Sequence, residues 1–347
     1  MIAWLYWNPQ REAFTIPIID WPVVWYGVLF VLGLLIGYFI VVRMFIRILG
    51  WNTTIRERDI ASWDSLTQEL QNNTPLARAI FDHYNGTLPS DNHIEILAAI
   101  NAVSVSRKEL EETFPKGIRT IPSIAVSLSD RLTWFVVIAT IVGARLGHVF
   151  FYQWDYFSRH PIEIFMTWKG GLASHGGAIG IIIALAIYAW VIRNKFPEIT
   201  FLRILDIVVV PAALVGTFIR VGNFINQEIV GTPSQLPWAV IFADPAEGVA
   251  AIPRHPVQLY EGAVYLAAFA LLMWLWNKKA ETLKPGTITG IFFILIFASR
   301  FFLEFFKVSQ GGLANGWSIQ TGQLLSIPFV ILGIILLMIT VRPRSPH

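Results

Sequence analysis

The chain has 347 residues and no cysteine; 55% of its residues are hydrophobic, 14% are charged, and its formal net charge is +3. A soluble domain carries about 25% charged residues, so this composition, with a mean hydropathy of +0.57, excludes an ordinary soluble enzyme and describes an all-α polytopic membrane protein. The missing cysteines exclude a thiol nucleophile, a thiolate metal site and a disulfide within the chain, so any thiol chemistry would use the thiol of a substrate.

The first twenty residues, "MIAWLYWNPQREAFTIPIID", lack the basic start, apolar core and small-residue cleavage site of a signal peptide. Trp4, Tyr6, Trp7 and Trp21 suit an interfacial segment instead. Seven apolar stretches long enough to cross a bilayer as helices follow, near 23–42, 132–151, 172–192, 201–218, 257–276, 287–306 and 322–341. This divides the chain into an N-terminal interfacial segment with the first transmembrane helix (1–50), an insert (51–130), and helices two to seven (131–347), which form a core with helix one. GxxxG spacing at Gly33/Gly37, Gly143/Gly147 and Gly176/Gly180 would let helix backbones approach closely.

The insert is too long for a simple loop. "RERDIASWDSLTQELQ" and "NHIEILAAINAVSVSRKELEETF" have helical spacing and charged faces, which predicts a small, mostly helical cytoplasmic module. Its basic residues are balanced by acidic ones and it carries no metal or nucleotide motif, so nucleic-acid binding is not expected. Both a spacer and a docking site for an unknown cytoplasmic partner remain open.

Basic residues orient the helices. If the first helix runs inward, Arg43, Arg47, Arg193, Lys195, Arg203, Lys278, Lys279, Lys284, Arg342 and Arg344 lie at inner ends, against Arg11, Arg159, Lys169, Arg254 and Lys307 outside. The bias puts the N-terminus in the periplasm and the C-terminus in the cytoplasm.

With that orientation the unusual polar residues fall at one level, toward the outer leaflet. Tyr26 starts helix one, Arg145 lies in the outer half of helix two, and His175 opens helix three. Arg220 closes helix four in "RVGNFINQEIVG", with Asn223, Asn226 and Glu228 following; Arg254, His255 and Gln258 open helix five, and Arg300 and Glu304 lie in the outer third of helix six. A charge at mid-bilayer costs about 2.5–3.5 kcal/mol on insertion scales, so Arg145, Arg220 and Arg300 need partners. Taken singly, each residue has an ordinary reading. Arg300 and Glu304 would neutralise each other at i,i+4. Arg145 would bond free carbonyls or snorkel. The histidines would be helix-end residues, the glycines would serve packing, and the asparagines would cap or turn the chain.

Taken together they suggest a ligand. A guanidinium fork matches a phosphate diester, and the abundant anion at this depth is a phospholipid headgroup. Gly176 and Gly177 would let a headgroup or an extended peptide approach the backbone, the asparagines would donate to ester or phosphate oxygens, and Glu228 and Glu304 would orient the arginines. Histidine exchanges protons near neutral pH. No carboxylate and histidine cluster has metal-ligand spacing, so neither metal nor cofactor is expected.

The strings "WYG" at 25–27, "GARLGHVFFY" around Arg145, "KGGLASHGGAIG" around His175, "RVGNFINQEIVG", "PRHPVQLYE" and "RFFLEFF" resemble, in order and spacing, those of the bacterial prolipoprotein diacylglyceryl transferases. The resemblance spans essentially all of the chain except the insert. It implies a seven-helix inner-membrane enzyme that moves the diacylglyceryl group of phosphatidylglycerol to the lipobox cysteine in the signal peptide of a prolipoprotein, releasing glycerol phosphate. It also implies that Arg220 contacts the phospholipid, that Arg300 serves phosphate binding or catalysis, and that Tyr26, His175, Asn223, Glu228, Gly231 and Glu304 are functional positions. Arg145, Gly176, Gly177, Asn226, His255 and Gln258 are assigned to substrate binding, and His175 is the candidate thiol base. The chain departs from the family pattern at Ile296, where many members have tyrosine, so that any role of that hydroxyl is absent or supplied elsewhere. It departs again at Lys307, where many have arginine. Another phospholipid transferase, a lipid or anion transporter, and a structural membrane protein with a docking insert are the competing readings.

Overall fold

The computed structural model describes residues 4–18, 20–72, 74–83, 92–167, 170–308 and 319–341. Lys169, Arg342 and Arg344, three of the residues used above to orient the helices, lie outside the described residues. Helix α1 (Trp25–Leu49) is followed by four short helices, α2 (Trp63–Gln71), α3 (Pro75–His83), α4 (His93–Ala102) and α5 (Arg107–Thr113). Then come α6 (Ile121–Tyr152), the single turn α7 (Trp154–Phe157), α8 (Ser174–Ile192), α9 (Phe201–Ile225), α10 (Val257–Lys279), α11 (Thr287–Leu303) and α12 (Thr321–Val341). Among the described residues seven of these helices are long and apolar enough to cross a membrane, in the seven stretches that hydropathy marks.

Two features differ from expectation. Helix α6 begins at Ile121 rather than near 132, because Thr120 caps it by accepting from the Ser123 amide at 3.3 Å and Pro122 occupies its first turn. Its first turns bury Ile124, Ala125 and Leu128 on one face while serines and Asp130 occupy others, so hydropathy alone misses them. The aromatic N-terminus is not merely interfacial. Strand β1 (Leu5–Trp7) pairs in parallel with β4 (Val240–Phe242), which pairs antiparallel with β5 (Pro253–Arg254), while β2 (Glu12–Ile16) and β3 (Trp21–Val24) form a separate antiparallel pair.

The contacts divide into two units. The first comprises 1–41 and 200–347. In it α9 packs on α10 and α11, and α11 packs on α10 and α12. A Cβ on Gly33 or Gly37 would stand 3.1 Å from Phe218 or 3.2 Å from Pro211, so this glycine pair serves the approach of α1 to α9. At its first turns α9 carries a buried charge pair that caps two neighbours. Asp206 accepts from the Gly286 and Thr289 amides at 2.8 and 2.9 Å, capping the start of α11, while Arg203 donates to the Ala280 and Leu283 carbonyls, capping the end of α10. At the other end of α9, the Trp7 ring packs at a tilt against Phe224, centroids 4.6 Å apart, and donates to its carbonyl at 3.0 Å. With Val230, Val240 and Phe242 these rings form a small buried core.

The second unit comprises 42–199. In the insert α2 to α5 enclose their own core of residues that include Leu66, Leu70, Ile80, Ile96, Ile100 and Phe114. Ser62, Asn92 and Ser106 cap three of the helices through side-chain oxygens. Helices α6 and α8 meet through their glycines: a Cβ on Gly143 would lie 2.5 Å from the Gly176 carbonyl oxygen, and one on Gly147 would lie 2.6 Å from the Gly176 Cα. The insert is tied to the segment after α8, where Arg58 binds Glu198 and lies 4.5 Å over the Phe196 ring.

Burial opposes ionisation of Glu198, but the hydrogen bonds from Arg58 and the charges of Arg58 and Arg56 outweigh it and hold its carboxyl below the usual glutamate value. A lowered folded-state value means that this contact stabilises the fold above the ordinary glutamate pKa of about 4.3 and fades as pH falls through the lowered one. Hydrogen exchange corrected for intrinsic rates should therefore show protection around residues 56–60 weakening on acidification below about 4.3, and Glu198→Gln should weaken it already at neutral pH and remove the acid dependence.

Candidate active site

Helix α9 ends where Asn226 becomes its C-cap, and the chain then makes a turn with Gln227 at φ 58° and Ile229 at φ 57°. A β-branched residue in this left-handed region is strained, of order 1–3 kcal/mol. Surrounding bonds hold the conformation: the Glu228 amide donates to the Asn223 carbonyl at 2.9 Å, the Ile229 amide to Glu247 at 2.5 Å, and Gln258 Nε2 to the Glu228 carbonyl at 2.7 Å. Gln227 is buried and accepts from the Asp244 and Ala246 amides. Gly231 sits so close to the backbone of His255 that an added Cβ would meet its carbonyl oxygen and lie 2.7 Å from its Cβ. Arg254 Nη1 donates to the Gly231 carbonyl at 3.2 Å, which completes the brace.

The clamped turn presents a set of side chains. Glu228 accepts from Asn223 Nδ2 at 2.8 Å and from Asn226 Nδ2 at 3.1 Å. Buried Arg220 donates to Asn223 Oδ1 at 3.2 Å and forms an ion pair at 3.0 Å with Glu261 of α10. Glu261, fully buried, also binds Lys307 Nζ at 2.9 Å, and Lys307 reaches Glu304 at 3.1 Å. The Glu304 carboxylate lies over the first turn of α12, where a Cβ on Gly322 would stand 2.6 Å from its Oε2, so the helix dipole also favours its charge. Tyr26 fills the notch of Gly222, 2.7 Å from where a Cβ would be, within the fields of Glu228 and Arg220. Half-buried Arg300 has no hydrogen bond or ion pair among the described residues; its charge acts on Tyr265 of α10, as does that of Arg220.

This changes the expected charge pairing. Neither Glu228 nor Glu304 pairs directly with an arginine; Glu228 reaches Arg220 only through Asn223, and the Arg300–Glu304 helix-face pair does not form: Glu304 lies in a 3-10 turn beyond α11 and turns to Lys307. The carboxylate that holds Arg220 is Glu261, which stands in the quoted string "PRHPVQLYE" but was not among the candidate residues. Its spacing from Val257 and Gln258 in the first turns of α10 was the available signal that it faces inward. His255 Nδ1 lies 3.4 Å from the Tyr260 hydroxyl, and partial burial lowers its pKa, which keeps it neutral at pH 7. Ile296 shares a buried cluster with Tyr265, so a phenol stands beside that position but is carried by α10.

The remaining candidates belong to the second unit. Arg145 is buried and donates to four carbonyls, those of Glu163, Ile164, Gly170 and Gly171, with Phe157 beneath it at 4.9 Å. It braces the segment after α7, and of the two earlier readings the carbonyl-bonding one describes it. Gly176 is buried against α6, whereas Gly177 has ordinary contact at 3.6 Å with Ala144. His175 is exposed in the first turn of α8. Among the described residues no three His, Asp or Glu side chains converge to hold a metal ion.

Residues 94–339 match the family model described as prolipoprotein diacylglyceryl transferase. The chain is 47% identical over 353 aligned residues to a phosphatidylglycerol–prolipoprotein diacylglyceryl transferase of Protochlamydia amoebophila, with 96% of this chain and 94% of that protein covered. Proteins of the same description from Tolumonas auensis and Chlamydia pneumoniae are 43% and 44% identical, covering 62% and 61% of this chain and 80% and 74% of their own lengths.

Glu261→Ala would leave buried Arg220 without a carboxylate and Lys307 with Glu304 alone, at a cost of about 3–5 kcal/mol. Thermal unfolding in detergent should show a clear loss of stability for this variant, a smaller one for Glu261→Gln, and partial recovery when Glu261→Ala is combined with Lys307→Met.

Proposed function

Since the chain belongs to the prolipoprotein diacylglyceryl transferase family, we propose that it transfers the diacylglyceryl group of phosphatidylglycerol to the lipobox cysteine of a prolipoprotein, with Arg220 and Arg300 binding the phosphate. The enzyme is a multi-pass membrane protein. The bias of its basic residues supports an inner-membrane orientation with the N-terminus and the site toward the periplasm.

The observation that carries the assignment of the phosphate site is the contrast between its two guanidiniums. Arg220 is aimed by Glu261 and Asn223, and Arg300 is a half-buried cation in an apolar helix without a protein partner among the described residues. Such a charge is costly at this depth, and a phosphate diester is the ligand whose geometry its fork fits. A common region for the two is supported by Tyr265, whose ring centroid is 5.9 Å from the Arg220 guanidinium carbon and which packs on Ile296, one turn before Arg300.

The reaction follows from that arrangement. A thiolate attacks the glycerol carbon bearing the phosphate ester, a C–S bond forms as the C–O bond breaks, and glycerol phosphate leaves with the bond's electron pair. Charge on the phosphate grows by one unit through this step. Arginine donors already in place stabilise the growing charge without reorganisation, and removal of one such donor typically costs about 10²–10³ in kcat. Glu228, held by two asparagine amides, and the strained turn fix Asn223 against Arg220. Arg145 acts as the brace of its segment rather than as a phosphate ligand. His175, exposed at the start of its helix, is the proposed acceptor of the thiol proton.

Purified protein with phosphatidylglycerol and a lipobox peptide should yield the diacylglyceryl thioether by mass spectrometry. Arg220→Gln and Arg300→Gln should each lower kcat by about 10²–10³, and Arg220→Lys should recover only part because it loses the fork; full activity in both glutamine variants would remove the phosphate site from this reading. A pH profile tests His175 separately. A free thiol has a pKa of about 8.5, so the deficit of His175→Gln should shrink as pH rises past that value, and a deficit that does not change with pH would take the base role away from His175.

A further inference from the structure

Tyr265 lies one helical turn beyond Glu261 on α10. It is buried, and its ring fills the space left by Gly216 of α9, where a Cβ would stand 2.9 Å from Tyr265 Cδ2. With Ala268 and Ile296 it forms one buried cluster, so its ring position is set by packing rather than by charge. The guanidinium carbon of Arg220 lies 5.9 Å from the ring centroid. Ile296, its neighbour in that cluster, stands one helical turn before Arg300 on α11.

A phenol has one proton to give and lone pairs to receive with. The Arg220 guanidinium beside the ring can donate to a lone pair but cannot accept the proton. Glu261, one turn back on α10, has Oε2 in the ion pair with Arg220 and Oε1 on Lys307. Among the described residues no acceptor takes the Tyr265 proton. A donor with its ring packed and its proton free beside a guanidinium is suited to an anionic oxygen.

We propose that Tyr265 is a further phosphate-binding residue of this enzyme: its hydroxyl accepts from Arg220 and donates to the phosphate held by Arg220 and Arg300, fixing both arginines on one ligand. The inference rests on the reading of those two arginines as phosphate ligands. It gives the site a neutral donor beside two charged ones, and makes α10 contribute directly to the ligand as well as to Arg220 through Glu261.

The test uses the full chain in detergent with phosphatidylglycerol, a lipobox peptide, and free glycerol phosphate as an inhibitor. Tyr265→Phe keeps the ring against Gly216 and removes only the hydroxyl. It should lower kcat/KM for phosphatidylglycerol about 10- to 100-fold and weaken inhibition by glycerol phosphate by a similar factor. KM for the peptide and the melting temperature should stay unchanged. Turnover and inhibition within about two-fold of the parent would overturn the proposal, as would a loss accompanied by lower melting and a raised peptide KM, which would mean that the hydroxyl serves folding alone. Failure of the underlying phosphate reading would look different: Arg220→Gln and Arg300→Gln would both remain active and inhibitable whatever Tyr265→Phe does.

Discussion

A carboxylate without solvent exposure, Glu261, stands between Arg220 and Lys307, and the site depends on that charge. One buried anion shared by two cations ties three stretches of chain together: the end of α9, the start of α10 and the segment after α11. A buried pair of this kind is weak as a source of net stability, because desolvation consumes most of its attraction. Its effect is on geometry. The ion pair at 3.0 Å on Nε and the bond from Nη1 to Asn223 hold the Arg220 guanidinium from two neighbours at once.

Helix α9 carries this precision because it is held at both ends. Arg203 and Asp206 cap the end of α10 and the beginning of α11, so α9 cannot slide or rotate without leaving buried carbonyls or amides unpaired. At the other end the packing and hydrogen bond of Trp7 on Phe224 and the clamp on the Gln227–Ile229 turn do the same. The strain at Ile229 is held by bonds from Glu247 and from residues around it. A site that stabilises charge developing on a phosphate gains most from donors that need not move, and a helix fixed at two levels supplies them.

The seven spans were legible in the sequence, since hydropathy reports burial in lipid directly. Partners were not legible. Neighbours at i,i+4 are the pairs a sequence displays, which pointed to Arg300 with Glu304. The structure instead pairs Arg220 with Glu261 on another helix, and turns Glu304 to Lys307. The parallel pairing of β1 with β4 joins residues near 5 and 240, and nothing local marks it. Helix α6 was placed too late because its first turns are amphipathic, with helical periodicity but little mean hydropathy.

Three arginines in apolar helices looked alike in the sequence and have three different surroundings. Arg145 gives four of its five N–H donors to carbonyls. Arg220 is held on one side by Glu261 and Asn223, which aims the remainder of its fork. Arg300 has no protein partner among the described residues. Insertion of each costs about 2.5–3.5 kcal/mol at mid-bilayer, less toward the interface, so the degree of satisfaction separates their tasks. An arginine with most of its donors used holds the backbone, one half used is oriented for a ligand, and one unused keeps a cost that a bound anion would offset. By this criterion the proposed phosphate site would draw on Arg220 and Arg300, and a membrane arginine's task is read from the donors it has left rather than from its depth.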